Sequence, residues 1–194
     1  MFSISSPEAL VKEFNTRDPF VIAEYLEIPT HRFCHPESDL PGLTCLVANR
    51  PSFFINTAYF AKMQKRHRDY TDDQVEDDIR QVGGHELGHC CRHRSQLREA
   101  PIKEYEIFNV RSPLEADANE FTAGLLIDTE EMLDLLHSDL TILQVASAIH
   151  VNVNLLIYKI ELLRKQGYSF NEMPYIPKNN FIGHIHGAGS SEWC

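Results

Sequence analysis

The sequence predicts a single α+β domain that is mostly helical and contains a small antiparallel sheet. Its 194 residues, 43% hydrophobic and 24% charged, are enough to bury one core. Apolar residues recur at helical spacing before and after residues 31–56, whereas that stretch holds short β-rich runs. We therefore expect helices packed around one small group of strands.

Two helices and three strands are predicted in the first third of the chain. Ser-Pro at residues 6–7 and Asp-Pro at residues 18–19 each place an N-capping side chain before a proline. They predict helices over residues 7–14 and 19–27. The β-rich runs of the predicted antiparallel sheet are residues 31–34, 43–48 and 52–56.

Longer helices are predicted after the strands. Thr71 or Asp72 caps a helix that ends near residue 96, and a polar, irregular stretch follows it. Ser112-Pro113 opens another helix, whose apolar residues recur at i, i+4, i+7 and i+11. Those residues are Leu114, Ala118, Phe121 and Leu125.

A single domain is expected over residues 1–170, with residues 129–166 as its helical C-terminal part. Residues 171–194 are rich in Pro, Asn, Gly and Ser and are expected to form a surface tail. The tail is interpreted as solvated, and an inhibitory segment that reaches a metal is the alternative. Its possible metal ligands are His184, His186 and Cys194.

Composition and charge argue against several classes of function. The net charge of −10 opposes contact with phosphate backbones and anionic lipids, so direct nucleic-acid binding is not expected. No apolar stretch reaches the roughly 18 residues that cross a bilayer, and no secretory pattern opens the chain. Five irregularly spaced cysteines suit a reducing compartment. We expect a cytoplasmic protein without a membrane segment.

Residues 141–156 have the apolar spacing of a helix-turn-helix. Binding to DNA would require a basic second helix, and this one is only weakly basic. We therefore favour packing or the docking of a partner protein for this segment.

The segment H-E-L-G-H at residues 85–89 lies inside the long predicted helix and carries the most chemical information. Residues four apart differ by about 40° around a helix axis, so His85 and His89 can bind one metal ion. Glu86 lies beside them and can take a proton from a water molecule as general base. Zn²⁺ fits these ligand types, with manganese and iron as alternatives.

A third ligand is expected because a catalytic zinc has three protein ligands and one open position. Glu115 begins the next helix and is the favoured ligand, and Asn119 could hydrogen-bond a ligand imidazole one turn later. Asp117 is the alternative carboxylate. It points about 200° away from Glu115 around the helix, so only one of the two can face the metal.

Four further residues near the motif have weaker claims to a role. His93 continues the histidine stripe and is a less favoured ligand, because it lies another turn along the helix. Cys90 and Cys91 turn away from the metal and are expected to pack in the core. Tyr105 is a candidate to stabilise an oxyanion, although a packed or solvent-facing role is favoured.

H-E-L-G-H at residues 85–89, followed by E-x-x-A-N-x-F at residues 115–121, resembles the ImmA/IrrE metallopeptidases. The likeness extends over most of the chain. It implies a zincin-like fold, a zinc peptidase activity and a protein substrate, typically a helix-turn-helix transcriptional repressor. By position, the implied zinc ligands are His85, His89 and Glu115, and the implied general base is Glu86.

Gly83 and Gly84, just before the motif, depart from the family, which more often has stronger helix formers there. Each glycine costs roughly 1 kcal/mol inside a helix. They predict a weakened helix or the close approach of a strand or substrate.

The leading hypothesis is a zinc endopeptidase that cleaves a regulatory protein. An extended substrate could add as a strand to a sheet edge near residues 54–56. The alternative is a non-catalytic, metal-bearing module that sequesters a regulatory partner.

Overall fold

Helices make up most of the described chain. The computed structural model describes residues 6–67, 69–104 and 112–170, and no helix within them is long and apolar enough to cross a membrane. The helices are α1 (Pro7–Phe14), α2 (Pro19–Tyr25), α3 (Thr57–Arg66), α4 (Asp72–Arg92), α5 (Arg94–Leu97), α6 (Pro113–Leu126), α7 (Thr129–Leu136), α8 (Ile142–Ala148) and α9 (Val153–Lys165). The strands are β1 (Thr30–Phe33), β2 (Gly42–Val47), β3 (Arg50–Asn56) and β4 (Ile102–Glu104). The predicted α+β, mostly helical class is confirmed.

The four strands form one mixed sheet in the order β1-β3-β2-β4. Strands β2 and β3 form a hairpin, whose two-residue turn places Ala48 and Asn49 at positive φ of 49° and 63°. Strand β4 is antiparallel to β2, but β1 runs parallel to β3. The expectation of a wholly antiparallel sheet is therefore wrong, because β1 takes the free edge of β3 instead of pairing with β2.

The same strand order corrects the expected substrate edge. Strand β3 lies between β1 and β2, so the backbone of residues 54–56 is already paired on both sides. An added strand needs unpaired backbone groups. The expectation that a substrate adds at residues 54–56 is wrong.

Helix α3 and strand β4 are two elements that the sequence pattern did not indicate. The basic residues of α3 suggest a solvated segment, yet its other face buries Phe60 and Met63. The side chain of Asn56 caps this helix by accepting a hydrogen bond from the backbone N–H of Ala58, at 3.2 Å. Strand β4 has three residues, too few to show a period of two.

Helix α4 packs on α2, α6 and the sheet, and its glycines allow that packing. A Cβ on Gly83 would lie 2.7 Å from the ring of Phe20 in α2, and one on Gly88 would lie 3.2 Å from the ring of Phe121 in α6. The helix stays continuous to Arg92, so the glycines do not interrupt it. The close neighbours of these glycines within the protein are helices rather than a strand.

The ends of α4 are defined by its caps. The hydroxyl of Thr71 accepts a hydrogen bond from the backbone N–H of Gln74, which makes Thr71 the N-cap. The helix ends at Arg92, and the short α5 follows, so the predicted single helix to residue 96 is divided in two.

The segment with helix-turn-helix spacing forms α8 and α9. Helix α9 packs on α6 and fully buries Leu155, Leu156 and Ile160. A recognition helix instead presents a polar face to the major groove. The packing of α9 fits the favoured role of this segment in the core.

We predict that Asp128→Ala destabilises the fold by about 1 to 2 kcal/mol at neutral pH, the usual cost of losing an N-cap. The Asp128 carboxylate accepts hydrogen bonds from the backbone N–H groups of Glu130 and Glu131 and pairs with Arg17. The hydrogen bond from Glu131 and the Arg17 charge lower the pKa of Asp128. Chemical denaturation of the variant and the wild type measures the difference.

The pH dependence of this effect has a defined sign. A lowered pKa adds stability that is fully present above the unfolded-state pKa, near 4, and is lost as pH falls through the folded-state pKa. The difference between wild type and Asp128→Ala should therefore shrink in acid. Asp134→Ala removes an exposed carboxylate from the same helix and is the matched control. A cost equal to that of the control would contradict the prediction.

Candidate metal centre

Two helices bring three possible metal ligands together. His85 and His89 lie one turn apart on α4, and Glu115 lies in the first turn of α6. The Nε2 atoms of the two histidines are 3.0 Å apart, and Glu115 oxygens lie 3.0 Å from the Nε2 of His85 and 3.6 Å from that of His89. The ligand atoms of the three side chains lie within 4.8 Å of one another.

This donor set fits a catalytic metal ion. Two imidazoles and one carboxylate are a known catalytic zinc set, and tetrahedral Zn–N bonds place two nitrogens about 3.3 Å apart. The two histidines are buried, and Glu115 is mostly buried. Burial lowers the pKa of His89 to about 4, so its ring is neutral at physiological pH and can bind a cation.

The position of Glu115 follows from the start of α6. Pro113 occupies the first turn, and the Ser112 hydroxyl caps the helix by accepting a hydrogen bond from the backbone N–H of Glu115, at 3.3 Å. This cap fixes the backbone at the carboxylate residue. Asn119 follows one turn later, and its Oδ1 lies 2.9 Å from the Nδ1 of His85. The structure thus pairs Asn119 with the imidazole of His85, one of the candidate ligands.

The alternative ligands lie behind the cluster. The Nδ1 of His93 is 2.8 Å from the Nδ1 of His89, on the ring edge that faces away from His85. The Nε2 of His93 is 3.1 Å from a carboxylate oxygen of Asp117. Asp117 also accepts a hydrogen bond from Arg92. His93 and Asp117 therefore contact each other and belong to the surroundings of the cluster.

Glu86 is fully buried between α4 and the sheet. The hydroxyl of Thr44 in β2 donates a hydrogen bond to its carboxylate, with the oxygens 2.5 Å apart. A Cβ on Gly42 would lie 2.5 Å from the other carboxylate oxygen, so the absence of a side chain there leaves room for Glu86. Sequence reasoning missed Thr44 and Gly42, because no local pattern shows which strand will face the helix.

The remaining candidate residues pack in the core or lie outside the described ranges. Cys90 and Cys91 pack in the core, and burial raises the pKa of Cys91 to about 12, so its thiol is protonated and unreactive at physiological pH. Tyr105 and the tail residues His184, His186 and Cys194 fall outside the described residues.

A helix with the H-E-x-x-H pattern, faced by a carboxylate from a second helix, is the arrangement of a metal-dependent peptidase. The chain belongs to the peptidase family described as the IrrE N-terminal-like domain, whose family model matches residues 54–161. The resemblance stated from the motifs is thereby confirmed. No curated protein and no solved structure gave a significant match.

We predict that the purified protein binds about one metal ion per chain, and that His85→Ala and Glu115→Ala each lose most of it. Each variant removes one of three ligands from the cluster. Elemental analysis of freshly purified protein measures the content. Glu120→Ala removes an exposed carboxylate from the same helix and should retain the ion. Equal metal content in all four proteins would contradict this site.

Proposed function

We propose that the protein is a zinc-dependent endopeptidase that cleaves a regulatory protein in the cytoplasm, and that its substrate is a helix-turn-helix transcriptional repressor. The observation that carries the peptidase proposal is the convergence of His85, His89 and Glu115 with Glu86 alongside. Membership of a peptidase family supports it. The choice of a repressor rests on the resemblance to the ImmA/IrrE metallopeptidases.

His85, His89 and Glu115 would hold the zinc ion. The bound zinc would supply Lewis acidity, which polarises the scissile carbonyl and brings the pKa of a water molecule near 7. The protein would hold these three ligands in place by burying both imidazoles between α4 and α6. The fourth position would be left to water and substrate.

Glu86 would move the proton. It directly follows His85 in α4, so its carboxylate can take a proton from the attacking water and return it to the leaving amine. The hydrogen bond from Thr44 orients this carboxylate and uses one of its oxygens. The other oxygen lies against Gly42, where the lack of a side chain leaves room for the carboxylate.

We predict that Glu86→Gln reduces peptide-bond cleavage by about 10²- to 10⁴-fold, the usual contribution of a general base, while zinc content stays unchanged. The amide keeps the size of the side chain but cannot accept the proton. Suitable substrates are candidate helix-turn-helix repressors from the same genome and a proteome-derived peptide library. Mass spectrometry of the products measures cleavage.

The matched control is Glu76→Gln, which changes an exposed glutamate of the same helix and should leave cleavage intact. A fully active Glu86→Gln protein would end the proposed mechanism. If the zinc-loaded wild type binds a repressor without cutting it, the sequestering module becomes the better description. If the protein cleaves library peptides but leaves every repressor intact, the peptidase proposal stands and the repressor is rejected as its substrate.

We further predict that Thr44→Val lowers cleavage by about tenfold with zinc retained, because it removes one charge-assisted hydrogen bond that orients Glu86. Valine keeps the shape of threonine, so packing changes little. Ser52→Ala is the control, since Ser52 is also buried in the sheet but its hydroxyl bonds the carbonyl of Arg50. Equal activities of the two variants would show that Thr44 does not orient the base.

A further inference from the structure

A line of hydrogen bonds leads from the surface to the metal centre through a residue pair that is not part of the ligand set. We propose that Asp117 and His93 form a relay that positions His89, by holding a proton on its Nδ1 and directing its Nε2 toward the metal. The relay rests on the proposed metal centre. His93 and Asp117 are positioning residues in this scheme, since neither touches the reacting atoms.

Both contacts of the relay are at hydrogen-bond distance. His93 Nε2 lies 3.1 Å from Asp117 Oδ2, and His93 Nδ1 lies 2.8 Å from His89 Nδ1. The Nε2 of His89 then lies 3.0 Å from the Nε2 of His85, inside the ligand cluster. The line therefore runs without interruption from a carboxylate to the metal site.

The carboxylate at one end determines the direction of each hydrogen bond. An ionised carboxylate can only accept, so the Nε2 of His93 carries a proton and donates it to Asp117. In the neutral ring of His93, Nδ1 is then an acceptor. His89 must donate from its own Nδ1, which leaves a lone pair on its Nε2 for the metal.

The opposite direction fails at both ends. If Nδ1 of a neutral His93 donated to His89, its Nε2 lone pair would face the carboxylate of Asp117. A neutral His89 would then carry its proton on Nε2, where the metal must bind. Metal ligation by Nε2 therefore requires the direction that Asp117 imposes.

Local packing holds the relay in place. His93 is 4% exposed, so water hardly competes for its ring nitrogens. The guanidinium of Arg92 donates to Asp117 at 2.5 Å and lies over the ring of Phe121, 5.2 Å from its centroid. Arg92 thus holds the carboxylate of Asp117 turned toward α4. The partial exposure of Asp117, 39% of its side chain, places the start of the relay at the surface.

The two ligand histidines are supported in different ways. His85 is paired with Asn119, whose amide group can either donate or accept. His89 is paired, through His93, with a carboxylate that can only accept. Hydrogen bonds of this kind raise the basicity of a ligand imidazole and fix its orientation, and their loss typically weakens metal binding by 10- to 100-fold.

The test measures zinc affinity in the full chain by competition with a fluorescent chelator. Asp117→Ala and His93→Ala should each raise the Kd for zinc by about 10- to 100-fold. His93→Asn places an amide oxygen near the position of the ring Nδ1, so it can still accept from His89 and should restore much of the affinity. Asp117→Ala added to His93→Ala should cause no further loss, because Asp117 acts through His93.

A spectroscopic measurement separates positioning from a general loss of stability. In the zinc-loaded, histidine-labelled protein, the proton on His89 Nδ1 should give a downfield and slowly exchanging NMR resonance. That resonance should shift or vanish in His93→Ala and persist in His93→Asn. If His93→Ala does not fold, Asp117→Ala still tests the relay, because Asp117 lies near the surface and its removal leaves Arg92 in contact with Phe121.

Glu120→Ala is the control for charge, since it removes an exposed carboxylate from the same helix. A Kd for zinc in Asp117→Ala equal to that of Glu120→Ala would overturn the relay. So would a His89 resonance that does not respond to His93→Ala. A wild-type protein that fails to bind zinc would overturn the proposed metal centre itself. If the wild type binds zinc and the variants bind it equally well, only the relay is overturned.

Discussion

The site depends on how closely α6 can approach α4. Gly84 and Gly88 lie on the face of α4 that meets α6, where added Cβ atoms would lie 3.1 Å from Thr122 and 3.2 Å from Phe121. Glu115 and Asn119 lie on the same face of α6 as Thr122, at intervals of four and three residues. The approach that the glycines allow therefore brings both side chains against the histidines. The roughly 1 kcal/mol that each glycine costs the helix is offset by this packing.

Because the polar groups of the site are buried, they have few interaction partners other than one another. His85, Glu86, His89 and Asn119 are almost completely buried, and buried polar groups are costly unless they are paired. With protons on both Nδ1 atoms, two imidazole lone pairs and the carboxylate of Glu115 converge. A cation placed among these three groups would attract all of them. Metal binding and folding stability are therefore expected to be coupled.

Features of the site encoded within one helix could be predicted from the sequence, whereas contacts between elements could not. The spacing of His85 and His89 and the cap at Ser112 are local, and the structure places them as expected. The pairing of Thr44 with Glu86 depends on which strand packs over α4, and a one-residue change of strand register would remove it. The parallel pairing of β1 likewise depends on which edge of the hairpin is free. In α3, the basic residues made its apolar face difficult to recognise from the sequence.

The C-terminal helices also bear on the site, through the first turn of α6. The hydroxyl of Tyr158 in α9 donates a hydrogen bond to the backbone carbonyl of Ala116, at 2.8 Å, between Glu115 and Asp117. The first turn of a helix is where fraying begins, and this turn carries Glu115. Because α9 packs along α6, its Tyr158 hydrogen bond holds that turn in place. The helix that completes the segment with helix-turn-helix spacing thus contributes to the position of a candidate metal ligand.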